Sequence, residues 1–206
     1  DFKVSLVFTP LLCSMLKDPL LQERYIVWLD RLISFGEEEI RRYSSQPALK
    51  KNAEIYLDKL LDIKDYYQNI LECDILKKLI YFAEQKNVEL LGTTATPLFL
   101  PHFIDFQDSI NAQIEAGLIS HKHSFGIKPD GFWLPYLGFV PGLEKNIKAY
   151  GYNYTVLDTH GLLFANPVPK NGVFSPVRTD NYLALFARNH DSCLEGCYNC
   201  DLFNSN

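Results

Sequence analysis

Gly131-Phe132-Trp133-Leu134-Pro135-Tyr136 is the stretch that decides the fold. Phe132, Trp133 and Leu134 form the apolar run of a buried strand, and Pro135, which has no N–H to give to a ladder, ends it. Strand-like and helix-like segments alternate on both sides. Val88 to Leu91 reads as a strand, and Asp105 to Leu118 as a helix with Ile110, Ile114 and Leu118 on one face. Pro141 to Tyr150 reads as the next helix and Tyr152 to Leu157 as the next strand. This rhythm predicts an α/β fold with a parallel sheet and right-handed crossovers. In a parallel α/β barrel, catalytic side chains emerge at the carboxyl ends of strands. Tyr136, the first residue beyond Pro135, is therefore the position to inspect.

The N-terminal part has another texture. Phe2 to Phe8 alternates as a strand and Thr9-Pro10 ends it. Leu11 to Leu16 begins a helical stretch. Asp18 suits an N-cap, with Pro19 at the first helical position. Leu20, Leu21, Tyr25, Trp28, Leu29, Leu32 and Ile33 then recur at helical spacing, with Gly36 as a candidate break and Glu37 to Arg42 as a solvated face. Ala48 to Gln85 reads as one helical stretch with two successive apolar faces and no Gly or Pro inside it. Such an excursion is oversized for one β/α crossover and predicts a long helical insertion packed over one end of a barrel. Leu162 to Phe186 holds short strand-like pieces between Pro167, Pro169, Gly172 and Pro176, and the chain shows no internal repeat.

Composition excludes several classes. The chain has 206 residues, 47% hydrophobic and 14% aromatic, enough for one globular domain with a core. The net charge is −5 with no basic block, which argues against a nucleic-acid or anionic-membrane partner. The first residues lack the basic start of a signal peptide. The best apolar run, Leu90 to Ile104, contains Pro97, Pro101 and His102 and falls short of the roughly 20 residues of a spanning helix. A soluble, cytoplasmic protein is expected. An odd count of five cysteines, with Cys13 and Cys73 far from the rest, does not suit a secreted disulfide framework. Without an initiating methionine, and opening directly into a strand, the chain reads as a fragment or an excised domain.

An ordered set of segments resembles glycoside hydrolase family 57, the α-glucan branching enzymes and amylase-like enzymes. Gly131 to Tyr136 followed by Pro141-Gly142-Leu143-Glu144 is similar to the family's Trp-Leu-Pro-Glu nucleophile loop and its helix. Phe2 to Met15 looks like the second strand and its following Pro. Glu89 to Thr96 is similar to the segment that normally reads Ala-Thr-His-Gly, and Gln113-Ile114 before Gly117 fits the next helix. Gly151-Tyr152 and Asp158-Thr159-His160-Gly161 fit the following strand and turn, and Phe186-Ala187-Arg188-Asn189 sits where the family has an aromatic followed by Arg-Asp. The resemblance implies a single segment, residues 1–206, of a partial (β/α)7-type barrel that lacks the first strand and the C-terminal part. It also implies an α-glucan or oligosaccharide partner. The departures are specific: Pro97 replaces the family's histidine, Tyr136 its nucleophilic Glu and Asn189 its Asp. The expected general acid lies beyond the chain end, and Asp201-Leu202-Phe203 echoes the acid motif too early.

Retaining glycoside hydrolysis uses two carboxyl groups about 5–5.5 Å apart. A carboxylate is ionised at neutral pH and a phenol, as a class, is not. Tyrosine nucleophiles occur as exceptions to the two-carboxylate rule and need a partner base. The substitutions favour a chain that no longer catalyses. Tyr136 is the candidate at the catalytic position, and Trp133, Asp158 and His160 are candidates for holding substrate. The plain alternatives are core aromatics for Trp133 and Tyr136, and a turn residue for Asp158. Glu144 is expected to face solvent, and His121-Lys122-His123 to lie in a loop before Gly126.

His190, Cys193, Cys197 and Cys200 form a Cys-x3-Cys-x2-Cys cluster with a nearby histidine. That spacing suits zinc or an iron–sulfur cluster, against incidental thiols in a terminal tail. The leading reading carries no cofactor. The competing readings are an active α-glucan enzyme with a non-standard site, and a metal-binding module at these cysteines. Open edges of an incomplete barrel would favour self-association.

Overall fold

Phe2 to Phe8 and Val88 to Leu91 both yield strands, and the two pair. The computed structural model describes residues 3–188. β1 (Val4–Val7) runs parallel to β2 (Val88–Leu91), with Val4 opposite Val88 and Val7 opposite Leu91. A parallel bridge between Gly92 and Phe132 links β2 to β3 (Gly131–Trp133). β3 pairs with β4 (Tyr154–Asp158), which pairs with β6 (Ala184–Arg188), both parallel. The short β5 (Val177–Arg178) closes that side antiparallel to β6. With β1, β2, β3, β4 and β6 parallel, their carboxyl ends share one edge.

The described chain divides into two compact units. Residues 3–11 and 88–188 make the α/β unit, and Leu12–Asn87 make a helical unit that falls, in sequence, between β1 and β2. In the α/β unit, α5 (Gln107–Phe125) and α6 (Leu143–Ala149) cross between strands, and α7 (Thr159–Leu163) follows β4. Ile110, Ile114, Phe132, Leu134, Leu143 and Ile147 are fully buried in one cluster. Each such side chain contributes about 1.5–3 kcal/mol on burial. Thr155 is buried among them because its hydroxyl donates to the Phe132 carbonyl at 2.7 Å.

The helical unit contains most of α1 (Pro10–Lys17), together with α2 (Pro19–Arg42), α3 (Pro47–Asp65) and α4 (Ile75–Glu84). Asp18 caps α2 as expected: its carboxylate accepts from Leu20 N at 2.8 Å and Leu21 N at 3.3 Å. Asp18→Ala leaves both donors to water and is expected to cost about 1 kcal/mol, read as a lower urea midpoint. Gly36 does not break α2. A Cβ there would meet Leu57 of α3 at ordinary van der Waals distance, 3.4 Å from Cδ1, so the position packs against α3 rather than ending α2.

The single helix expected over 48–85 is instead three pieces. α3 passes into a π-turn at Tyr66–Ile70, Glu72 and Cys73 take left-handed backbone at φ 51 and 62, and Asp74 caps α4 by accepting from Lys77 N at 3.0 Å. The helix expected to end at Leu118 runs two turns further, to Phe125, and stops at Gly126, whose left-handed φ of 72 suits a C-cap. His121-Lys122-His123 is therefore helical rather than loop, and residues two apart on a helix do not converge on one ion. Strands in 162–186 reduce to β5 and the first residues of β6, with α7 taking the start of that stretch. Among the described residues, no helix is long and apolar enough to cross a membrane.

Candidate functional site at the carboxyl edge of the sheet

The edge is built from the segments that follow β2, β3, β4 and β6. After β2 comes Thr93-Thr94-Ala95-Thr96, held from both sides. Thr93 Oγ1 donates to the Trp133 carbonyl at 2.9 Å, and Thr94 Oγ1 donates to the Thr96 carbonyl at 2.6 Å. Gln113 of α5 accepts through Oε1 from Thr96 N at 3.0 Å and Thr96 Oγ1 at 3.1 Å, and its carbonyl accepts from Ala95 N at 2.9 Å. Residue Gly117 lies so close beneath Thr93 that a Cβ would be 2.0 Å from the Thr93 carbonyl oxygen.

Beyond β3, Pro135 ends the ladder and the chain turns sharply. Tyr136 (φ 58, ψ 13) and Leu137 (φ 55) are both left-handed, a region that L-residues with side chains rarely occupy. Leu137 N donates to the Leu134 carbonyl at 3.0 Å and fixes the turn. The Tyr136 side chain is 71% exposed, so it is not a core aromatic, while Trp133 is half-buried. The Phe99 ring lies 6.5 Å from that of Tyr136 and 4.8 Å from that of His102. A Cβ at Gly138 would strike the Phe99 ring at 2.3 Å, so the glycine makes room for it.

Asp158 ends β4 and immediately precedes α7. Its side chain does not cap that helix; it turns to His160 and Arg188 instead. Oδ2 lies 2.9 Å from His160 Nδ1 and Oδ1 lies 3.5 Å from Arg188 Nη2. The register that sets Asp158 opposite Arg188 produces the second contact. The His160 hydrogen bond, reinforced by the Arg188 charge, holds the Asp158 carboxyl below the usual carboxylate range. The His160 ring stacks on Phe164 at 5.9 Å and 20°, and Thr159 Oγ1 donates to the Arg188 carbonyl. Arg188 Nε is buried without a hydrogen-bond partner among the described residues.

The expected residues thus fall into two groups. Trp133 ends β3 and Tyr136 lies just beyond it; Asp158 ends β4 and touches His160 just beyond that strand. Glu144 is not simply solvent-facing: its Oε2 accepts from Gly142 N at 2.7 Å at the start of α6. Phe99, His102 and Arg188 were not among the expected site residues. Phe99 meets Tyr136 across 37 positions of sequence, and no local pattern marks that contact. The edge offers flat aromatic rings, a carboxylate acceptor and guanidinium and imidazole donors, the groups that bind a polyhydroxylated ring. Among the described residues no group of three or more His, Cys, Asp or Glu side chains could hold a metal ion. His190, Cys193, Cys197 and Cys200, like Asn189, lie outside the described residues.

Comparison with known proteins gives one consistent set of matches. The family model described as Glycosyl hydrolase family 57 matches residues 7–193. A 1,4-alpha-glucan branching enzyme of Thermococcus kodakarensis is 26% identical over 173 residues, covering 77% of this chain and 25% of that protein. The alpha-amylase AmyC of Thermotoga maritima superposes with a TM-score of 0.89 at 28% identity, over 93% of this chain and 37% of the other. A branching enzyme of Pyrococcus horikoshii shares the fold with a TM-score of 0.85 at 24% identity, over 94% of this chain and 38% of the other. The chain therefore spans about a quarter of the curated relative's length and under two fifths of these two structures.

Proposed function

The chain belongs to glycosyl hydrolase family 57, and from that premise we propose that it is an α-glucan-binding segment whose strand-edge site does not hydrolyse its ligand. In this reading residues 1–206 are one segment of the catalytic domain, a partial (β/α)7-type barrel with residues 12–87 as a helical insertion. The observation that carries it is Tyr136. It occupies the position where the family resemblance calls for a nucleophilic glutamate, at the end of β3, exposed and in left-handed backbone. The turn presents residue 136 beyond the end of β3, and the group it carries there is a phenol, not a carboxylate.

In this reading Asp158 and Glu144, the carboxylates hydrogen-bonded at this edge, have other tasks. Asp158 is engaged by His160 and Arg188, and Glu144 by the backbone of Gly142. Retaining hydrolysis asks for two carboxyl groups flanking one scissile bond. Asp158 instead remains ionised and accepts hydroxyl hydrogen bonds. His160 is oriented by it, and Tyr136 offers a ring face and a phenol to a glucosyl unit. Trp133, half-buried just inside the edge, adds apolar surface.

Calorimetry with malto-oligosaccharides, run beside assays for new reducing ends and branch points, tests the reading. Binding without turnover is expected. Tyr136→Ala should weaken binding about tenfold by removing the stacking face, while Tyr136→Phe should keep most of it. Turnover by the native chain that Tyr136→Phe abolishes would establish a tyrosine-dependent enzyme and overturn the proposal.

A further inference from the structure

The helical unit carries a feature that the strand-edge site does not use. Tyr25, Asp62, Ile63, Tyr66 and Tyr67 line a groove of about 430 Å³, within the usual 300–1,000 Å³ of small-ligand sites. The π-turn at Tyr66–Ile70 helps shape it, and insertions of this kind are frequent at functional sites. Tyr67 is buried and braces the ring of Tyr25 edge-on at 4.8 Å. Tyr25 in turn lies nearly parallel to Trp28, at 5.8 Å and 22°, which extends the aromatic surface one turn along α2. Trp28 is 51% exposed and Tyr66 46%.

We propose that this groove is a second α-glucan-binding site, taking a short malto-oligosaccharide segment against Tyr25, Trp28 and Tyr66. The choice of glucan rests on the reading given under Proposed function. The chemistry of the groove narrows the ligand independently. Among the described residues no lysine or arginine lines it, so an anionic ligand would find no counter-charge there. Asp62 and the phenols are hydrogen-bond acceptors beside flat apolar rings. A neutral ring with C–H faces and outward hydroxyls matches both. A second copy of the chain fits less well. An isologous contact would bring two Asp62 carboxylates to the same groove without a cation, on a chain of net charge −5.

The chain contains two tryptophans, Trp28 in the helical unit and Trp133 at the strand edge, so each site has its own reporter. Incorporating 5-fluorotryptophan into the otherwise native chain gives two fluorine resonances, assigned with Trp28→Phe and Trp133→Phe. On titration with maltoheptaose, the Trp28 resonance is expected to shift saturably. Tyr66→Ala should weaken that response about fivefold and leave the Trp133 response in place. Asp62→Asn, which keeps the groove's shape, should weaken it too and carries the test if Tyr66→Ala does not fold.

A silent Trp28 with a responding Trp133 would overturn this site and leave the strand-edge reading intact. A responding Trp28 with a silent Trp133 would support this site and count against the strand edge. Silence at both would overturn both. A Trp28 resonance that moves with protein concentration but not with maltoheptaose would assign the groove to self-association and overturn the proposal.

Discussion

Gly117→Ala is expected to destabilise the chain by about 3 kcal/mol, although alanine is the better helix former by about 1 kcal/mol. Gly117 is buried on α5, and its missing side chain is where the Thr93 backbone passes. A Cβ would lie 2.0 Å from the Thr93 carbonyl oxygen, 3.0 Å from Thr94 C and 3.1 Å from Thr93 C. Neither side can retreat easily. Thr93 is tied to Trp133, the following residues are tied to Gln113, and α5 is anchored by Ile110, Ile114 and Leu118. Backbone against Cβ belongs at the upper end of overpacking costs. Gly126→Ala makes the contrast: nothing lies within 4 Å of its Cβ, so only the left-handed φ of 72 opposes it, at about 1–2 kcal/mol. Urea unfolding followed by circular dichroism separates the two. Because Thr93-Thr94 belongs to the strand edge, Gly117→Ala should also weaken glucan binding where Gly126→Ala does not. A neutral or stabilising Gly117→Ala would mean that helix and loop do not touch.

What the sequence revealed depended on how local each signal was. β3 was legible because Pro135 follows an apolar run, and α2 because Asp18-Pro19 is a start signal in itself. Asp74 before Ile75 and Leu76 was the same kind of signal for α4, but the absence of Gly and Pro between 48 and 85 hid it. Left-handed backbone at Glu72 and Cys73 has no marker in those residue types. Gly126 marked the true end of α5, two turns beyond the stop assigned at Leu118. At the site, Tyr136 followed from the strand end alone. The pairing of Asp158 with Arg188 did not, because it comes from the register between β4 and β6. Asp158 and His160 were individually visible; that they share a proton-bearing contact at 2.9 Å required α7 to begin at once after the strand.

The same early stop for α5 concealed a buried histidine of the α/β unit. His121, read as a loop residue, is 5% exposed on the last turns of α5, its ring 4.8 Å from that of Phe125 and its Nε2 without a hydrogen-bond partner among the described residues. Burial with no compensating anion disfavours the imidazolium and pushes the group down to about 4. The sign of the consequence follows. Above the ordinary histidine value near 6.5, the ring is neutral in folded and unfolded chains alike and contributes nothing to pH dependence. As pH falls from about 6.5 to about 4, the unfolded chain takes up a proton that the folded chain refuses. Stability then drops by about 1.4 kcal/mol per pH unit, about 3 kcal/mol in all. Below about 4 the folded site also protonates and the loss levels off. His121→Leu removes this proton and should flatten the curve by that amount between pH 7 and pH 4, in urea unfolding measured at each pH. The carboxylates also titrate toward the lower end of that window, but they do so equally in both proteins, so the difference between the curves belongs to His121. Parallel curves would mean that water reaches the ring in the folded chain, and with it that the end of α5 is not packed as its burial requires.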